Sequence, residues 1–293
     1  MKKFNYKLVA LDAFKGRIFF INPNDYSTED FIACDEETPD GVVFDAYNQR
    51  LYWTNMGKDY DAKDGHIRYG SLNGEVSGYT VKMGDTHTPK QLAMDADSHY
   101  LYWCDREGMK IERCQIATGT VEVLLDSSEM YPSENKESRY CIGIALDKKN
   151  NRIFWTMKGP SKGGLGRLLC APFDYRAASA SVNVNEVKVI FDKLPEPIDL
   201  AIDYAGDFLY WSDRGAEPDG NSLNRVSLSS LEDKDVVIRG FEETIGFVID
   251  SENHCAFVAD LTGHIYQIDL ISQDKNVILY YPDSGFTGLA RCG

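Results

Sequence analysis

THTPKQLAMDADSHYLYWCDREGMKIER, residues 86–113, is the stretch whose pattern the rest of the chain repeats. Gln91 to Asp95 reads as one short strand, Asp97 to His99 as a turn, Tyr100 to Cys104 as a second strand, and Lys110 to Arg113 as the start of a third. Asp45, Asp95, Asp147, Asp203 and Asp250 each close a short apolar run (VVFD, LAMD, IALD, LAID and FVID). Ten residues after each aspartate a second run closes (LYWTN, LYWCD, IFWTM, LYWSD and AFVAD). The copies begin 50, 52, 56 and 47 residues apart, with variable stretches between them. A fixed internal interval inside a longer, looser period is the signature of a repeated β unit, and the period is what four strands and their turns require.

The ends decide how many units there are. Asp12 and Asp45 are 33 residues apart, one strand and its turn short of a full unit, while the tail beyond Asp250 carries an additional run, FTGLA. Lys7 to Asp12, Arg17 to Ile21 and Asp30 to Cys34 are therefore expected as the three outer strands of a sixth blade, with Thr287 to Arg291 as its innermost strand. The expected fold is all-β: a single domain over residues 1–293, a six-bladed β-propeller of four-stranded blades, closed by pairing the C-terminal inner strand with the N-terminal outer strands. Closure of this kind hides nearly all sheet edges. A second frame makes KLVALD an innermost strand, because Asn22 follows Asp12 by ten residues, but it leaves FTGLA without a role.

LYWTN, LYWCD, IFWTM and LYWSD resemble the Tyr-Trp-Thr-Asp repeats of six-bladed propellers best known from the low-density lipoprotein receptor, and this resemblance covers the whole chain. It implies the fold, in a stand-alone soluble branch without disulfide-rich flanks. THTPKQL, YWCDREGM, LPEPIDL and YWSDRG further resemble microbial propellers, among them fungal enzymes that catalyse hetero-Diels-Alder cycloadditions in tropolonic sesquiterpene biosynthesis. That second resemblance implies a cofactor-independent enzyme acting on a small terpenoid substrate.

The formal charge is −15 and no run of Lys or Arg reverses it locally, so nucleic-acid and membrane-surface partners are not expected. No apolar run is long enough to span a bilayer. In MKKFNYKLVALDAF, Asn5, Lys7 and Asp12 interrupt any leader-like core, and the segment is expected to be mature structure. Seven widely spaced cysteines, without a Cys-x-x-Cys pair or zinc-like histidine spacing, point to free buried thiols in a reducing cytoplasm. No metal and no cofactor are expected.

Residues repeated in every blade but the closing one are read as structural. The aromatic pairs of the second strands should pack between blades. Asn55, Asp105, Asp213 and Asp260 should cap backbone amides, and the aspartates closing the first strands should begin tight turns. Function is sought where the repeat breaks its own rule. Four steps before each strand end stand Gly41, Gln91, Gly143, Asp199, Gly246 and Gly288. Glycine is expected where innermost backbones come close, so Gln91 and Asp199 are the exceptions, either binding a ligand or satisfying neighbouring backbone. After the second strands come Ala13, Met56, Arg106, Lys158, Arg214 and Leu261, three successive cations and three apolar residues around the expected funnel mouth.

The candidate catalytic residues are Gln91, Arg106, Arg214 and His87, the last for its imidazole. Met56, Lys158, Asp199, Leu261, Tyr140 and Glu196 are the candidate substrate-binding residues. Residues 126–139, 158–166 and 214–224 are long loops that could form a partial lid, whereas 175–185 reads as a plain insertion. A cycloaddition needs no nucleophile, only apposed partners, an apolar wall and donors to the oxygenated partner. A non-catalytic propeller binding a protein or ligand is the alternative, and a calcium-dependent lactonase-like hydrolase a further one, for which Asp199, Glu196 and Asp40 offer few oxygen ligands.

Overall fold

The computed structural model describes residues 3–32, 37–74, 76–177 and 179–293. Among them 24 strands follow in order. These are β1 (Lys7–Asp12), β2 (Arg17–Ile21), β3 (Thr28–Ile32), β4 (Pro39–Asp45), β5 (Arg50–Asn55), β6 (Gly65–Ser71), β7 (Ser77–Thr86), β8 (Pro89–Asp95), β9 (Tyr100–Asp105), β10 (Lys110–Gln115), β11 (Val121–Asp126) and β12 (Cys141–Asp147). There follow β13 (Arg152–Met157), β14 (Gly166–Pro172), β15 (Lys188–Leu194), β16 (Pro197–Asp203), β17 (Phe208–Asp213), β18 (Ser222–Ser227), β19 (Asp235–Arg239), β20 (Thr244–Asp250), β21 (Cys255–Asp260), β22 (His264–Asp269), β23 (Lys275–Tyr280) and β24 (Phe286–Cys292). They form six four-stranded antiparallel sheets, a six-bladed β-propeller, with helix limited among the described residues to three short 3-10 turns. The expected strand end at Cys34 lies outside the described residues, as does that cysteine. The other six cysteines are free and buried.

The chain divides into two compact units, residues 1–89 with 242–293, and residues 90–241. In the first, β24 completes the sheet β24-β1-β2-β3, with Val9 opposite Ala290 and Lys7 opposite Cys292. The tail therefore supplies the strand the head lacks. Period-2 alternation places Leu8 and Ala10 against Val248, Phe257 and Ile265 on one face, and Val9 and Leu11 against Val42, Leu51 and Trp53 on the other. Both faces of the sheet are buried between neighbours, which is why its strands read as continuous apolar runs.

The second unit contains β8 to β19. Trp155 faces Tyr102, Cys104 and Ile111 of one neighbouring sheet, while adjacent Phe154 faces Leu200, Leu209 and Trp211 of the other. The repeated aromatics pack between blades, as their recurrence predicts. The strand-closing aspartates accept turn amides, Asp203 from Ala205 and Gly206 at 3.0 Å each. Strand-end residues cap as expected: the side chain of Asn55 accepts from Thr38 N–H, that of Asp105 from Gly108 N–H, and that of Asp260 from Thr262 N–H. One expectation changes. The segment read as a plain insertion folds back onto the core: Tyr175, Ala180 and Val182 join the cluster around Trp155. There the Tyr175 hydroxyl donates to Arg152 O at 2.7 Å and Val182 N–H donates to Leu124 O at 2.7 Å.

Candidate functional site

The alignment of loops made from sequence corresponds to one repeated hydrogen bond. In five blades the residue after the second strand donates its N–H to the residue just ahead of the first strand: Ala13 to Gly285 O at 2.9 Å, Met56 to Thr38 O at 3.0 Å, Lys158 to Tyr140 O at 3.2 Å, Arg214 to Glu196 O at 3.1 Å, and Leu261 to Glu243 O at 3.2 Å. These positions are structural equivalents, so the change from apolar to cationic side chain among them is a property of individual blades.

In the unit of residues 90–241 two of the cations, Lys158 and Arg214, converge. Glu196, ahead of β16, is fully buried, and its Oε1 accepts from Lys158 Nζ at 3.1 Å and from Arg214 Nε and Nη2 at 3.0 and 2.8 Å. Its Oε2 accepts from Lys162 N–H at 2.9 Å and Ser161 Oγ at 3.4 Å. Burial alone would raise the Glu196 carboxyl, but the charges of Arg214 and then Lys158 outweigh it and hold the group below the usual carboxylate range. Lys158, also buried, donates to Gly159 O at 3.1 Å. Loss of hydration pulls its amine below the ordinary lysine range; Glu196 opposes this, while Arg214 and Arg106 add to it.

Arg106, after β9, is held by Glu107, whose two carboxylate oxygens each lie 2.7 Å from its Nε. Burial and then the Glu107 charge raise the Tyr140 phenol. Arg106, Lys158, Arg214, Glu196 and Tyr140 therefore belong to one electrostatic neighbourhood built on three successive blades. The loop 158–166 is tied into it through Ser161 and Lys162. The loop 126–139 is instead pinned to β14, where Arg167 reaches Glu134 (Nη1 to Oε2 3.0 Å) and lies 3.8 Å over the Tyr131 ring.

Gln91 and Asp199 occupy the positions where the other blades have glycine. The Gln91 amide oxygen accepts from Ile144 N–H and Leu200 N–H at 2.8 and 2.9 Å, and its Nε2 donates to Leu200 O at 2.8 Å. One side chain thus joins β8 to β12 and β16. Asp199 is buried and its N–H donates to Ser212 Oγ at 3.1 Å. His87, Met56 and Leu261 belong to the other unit: His87 is half-buried and its carbonyl accepts from Gly65 N–H at 3.0 Å, Met56 is buried, and Leu261 is half-buried. Among the described residues no three His, Cys, Asp or Glu side chains gather as a metal-binding group, and no helix is long and apolar enough to cross a membrane.

A residue the sequence reading treated as a cap adds chemistry. Asp213 Oδ1 accepts from Glu196 N–H and Gly215 N–H, both at 2.9 Å, while its Oδ2 is buried without a hydrogen-bond partner. Burial pushes its carboxyl up to about 7 against those two amides, with the charge of Glu196 adding to the rise. The capping spacing is the same as in other blades, so no sequence signal separates Asp213 from them; Asp260, equally buried, has its second oxygen bonded by the Tyr266 hydroxyl, whereas Asp213 Oδ2 is left without a partner. The folded state holds a proton that the unfolded chain releases near the ordinary aspartate value, so this proton's contribution to stability is complete at low pH and is lost as pH rises through about 7. The expected slope is about 1.4 kcal/mol per pH unit between roughly pH 4 and 7. Asp213→Asn keeps the acceptor and removes the titration. Its melting temperature should match wild type near pH 4 and exceed it increasingly toward pH 7, and parallel melting curves across that range would contradict the assignment.

Sheets whose second strands read Tyr-Trp-Thr-Asn, Tyr-Trp-Cys-Asp and Tyr-Trp-Ser-Asp, arranged as six four-stranded blades, define a six-bladed propeller of the YWTD type. No family model matches the chain. It is 36% identical over 276 residues to the low-density lipoprotein receptor-related protein 1 of Pyricularia oryzae, with 90% of this chain and 88% of that one covered, and it belongs to that protein's family. It is 34% identical over 270 residues to the 3-hydroxyacyl-CoA dehydrogenase-like protein LAM1 of Cochliobolus heterostrophus, covering 87% of this chain and 56% of that protein. A chain in the crystal structure of a nidogen/laminin complex matches with a TM-score of 0.76 at 16% identity over 99% of both chains, a likeness of fold.

Proposed function

We propose that this propeller is a cofactor-independent enzyme of terpenoid natural-product biosynthesis, binding a small oxygenated organic molecule at the cluster of Arg106, Lys158 and Arg214 and promoting a hetero-Diels-Alder cycloaddition. The observation that supports this reading is the meeting of Lys158 and Arg214, from two adjacent blades, on Glu196, with Arg106 of the next blade held by Glu107 and its charge acting on the Lys158 amine. Donors fixed in advance are what a reaction needs when electron density builds on an oxygen atom. In the proposed step a 1-oxadiene and an alkene exchange three π bonds for one π bond and two σ bonds, one C–C and one C–O, and no proton changes hands. A hydride-transfer reading suggested by the LAM1 name finds less support, since the sequence has no Gly-rich dinucleotide turn after a strand.

The test is incubation of a conjugated enone and an apolar cyclic alkene with the protein, followed by chiral chromatography of the adduct. A single enantiomer should form above the buffer rate, and Arg106→Ala and Arg214→Ala should each slow it by about 100-fold. A racemic adduct at the buffer rate would reject the enzyme. Saturable binding of the enone without turnover would favour the alternative of a non-catalytic ligand-binding propeller.

A further inference from the structure

We propose that a cleft in the unit of residues 1–89 and 242–293 is a binding site for a neutral, hydroxyl-rich ligand of the saccharide class. The cleft has a volume of about 310 Å³, and Phe4, Asn24, Tyr26, Gln267, Asp269 and Asn276 are among the residues that line it; Oδ1 of Asp269 is taken up by the N–H groups of Ile271 and Ser272. That volume is at the lower end of the range for small-ligand sites, which suits one or two sugar rings.

Its walls are fixed by the protein itself. Phe4 is buried, with its ring at 5.6 Å from both Tyr6 and Phe257 in edge-on contact. Asn24 clasps the Phe4 backbone from both sides, accepting from its N–H at 2.9 Å and donating to its carbonyl at 3.0 Å. Tyr26 stands at φ 61, where its N–H donates to Asn22 O at 2.7 Å, and its hydroxyl donates to Gln267 Oε1 at 2.9 Å. The Tyr26 ring is thereby held at the cleft with 41% of the residue exposed.

The lining chemistry selects the ligand. Gln267 and Asn276 are opposite one another in the β22–β23 register, so both carboxamides leave the sheet on the same face. The Gln267 NH₂ group and the whole Asn276 carboxamide make no hydrogen bond to the described residues. No Lys, Arg or His lines the cleft, so a phosphate or carboxylate would meet no countercharge, and a purely apolar guest would strip water from amides it cannot satisfy. A sugar ring offers what remains: an edge of hydroxyls that both donate and accept, matching two adjacent carboxamides, and a C–H face for the Tyr26 ring.

Saturation-transfer NMR and titration calorimetry with glucose, galactose, mannose, N-acetylglucosamine, maltose and cellobiose would test the site. At least one should bind saturably with a Kd of about 1 mM. Gln267→Leu and Tyr26→Ala should each weaken it at least tenfold, with the melting temperature of Gln267→Leu unchanged, and glucose 6-phosphate should gain nothing over glucose. Absence of saturable binding across the panel would overturn the proposal, as would binding that survives both substitutions or that strengthens with the phosphate.

Discussion

Gly143→Ala is expected to cost about 3 kcal/mol or more, at the upper end of what overpacking in a protein interior costs, and to lower the melting temperature by at least about 6 °C. A Cβ at this position would lie 2.1 Å from Ile198 O and 2.9 Å from Thr156 Oγ1. The nearer obstacle is backbone and cannot rotate away. The same hydroxyl accepts from Gly143 N–H at 2.8 Å and donates to Ile198 O at 2.6 Å, so relieving the clash would also break the link between β12 and β16. Gly164→Ala is the internal control. Gly164 sits at φ +64 with nothing within 4 Å of its added Cβ, so its cost is backbone strain alone, about 1 kcal/mol. If scanning calorimetry found the two variants equally stable, close approach of the inner strands would not be the reason for glycine in β12.

The glycine pattern shows what could be read in advance. Gly246 and Gly288 meet the same obstacle as Gly143, with added Cβ atoms 2.0 Å from Thr287 O and 2.3 Å from Asp40 O. A repeat in sequence becomes a repeat of contacts, so strand order, turn aspartates and inner glycines were all legible from spacing. What Gln91 does was not. Its partner Leu200 is 109 residues away, and no local pattern encodes that reach. The cationic side chains after β9, β13 and β17 were legible as exceptions to the repeat, but the shared dependence of Lys158 and Arg214 on Glu196 was not, because one glutamate ahead of a strand looks like any other. Tyr175 and Val182 failed differently: an irregular loop carries no period, so its return to the Trp155 cluster has no sequence signature.

Glu196→Gln is expected to be the most damaging change in the cluster, lowering stability by about 3 kcal/mol at neutral pH. The substitution is nearly isosteric, yet it leaves Lys158, buried, and Arg214, 20% exposed at its side chain, facing a neutral amide. It also replaces an acceptor with a donor at whichever end of the amide faces Lys162 N–H or the cations. The loops 158–166 and 214–224 lose a common anchor. The pH dependence separates charge from shape. The Glu196 carboxyl is held below its unfolded value by Arg214 and Lys158, so its contribution is present above the ordinary glutamate range and is lost as pH falls through the depressed folded value. The gap between wild type and Glu196→Gln should therefore be widest near pH 7 and close in strong acid. Because Glu196 is what sustains the charge on Lys158, the amine in the variant should also deprotonate at lower pH, measurable by NMR of a selectively labelled Lys158. A gap that stayed constant with pH would assign the loss to packing, and a variant as stable as wild type would show that the two cations do not depend on this carboxylate.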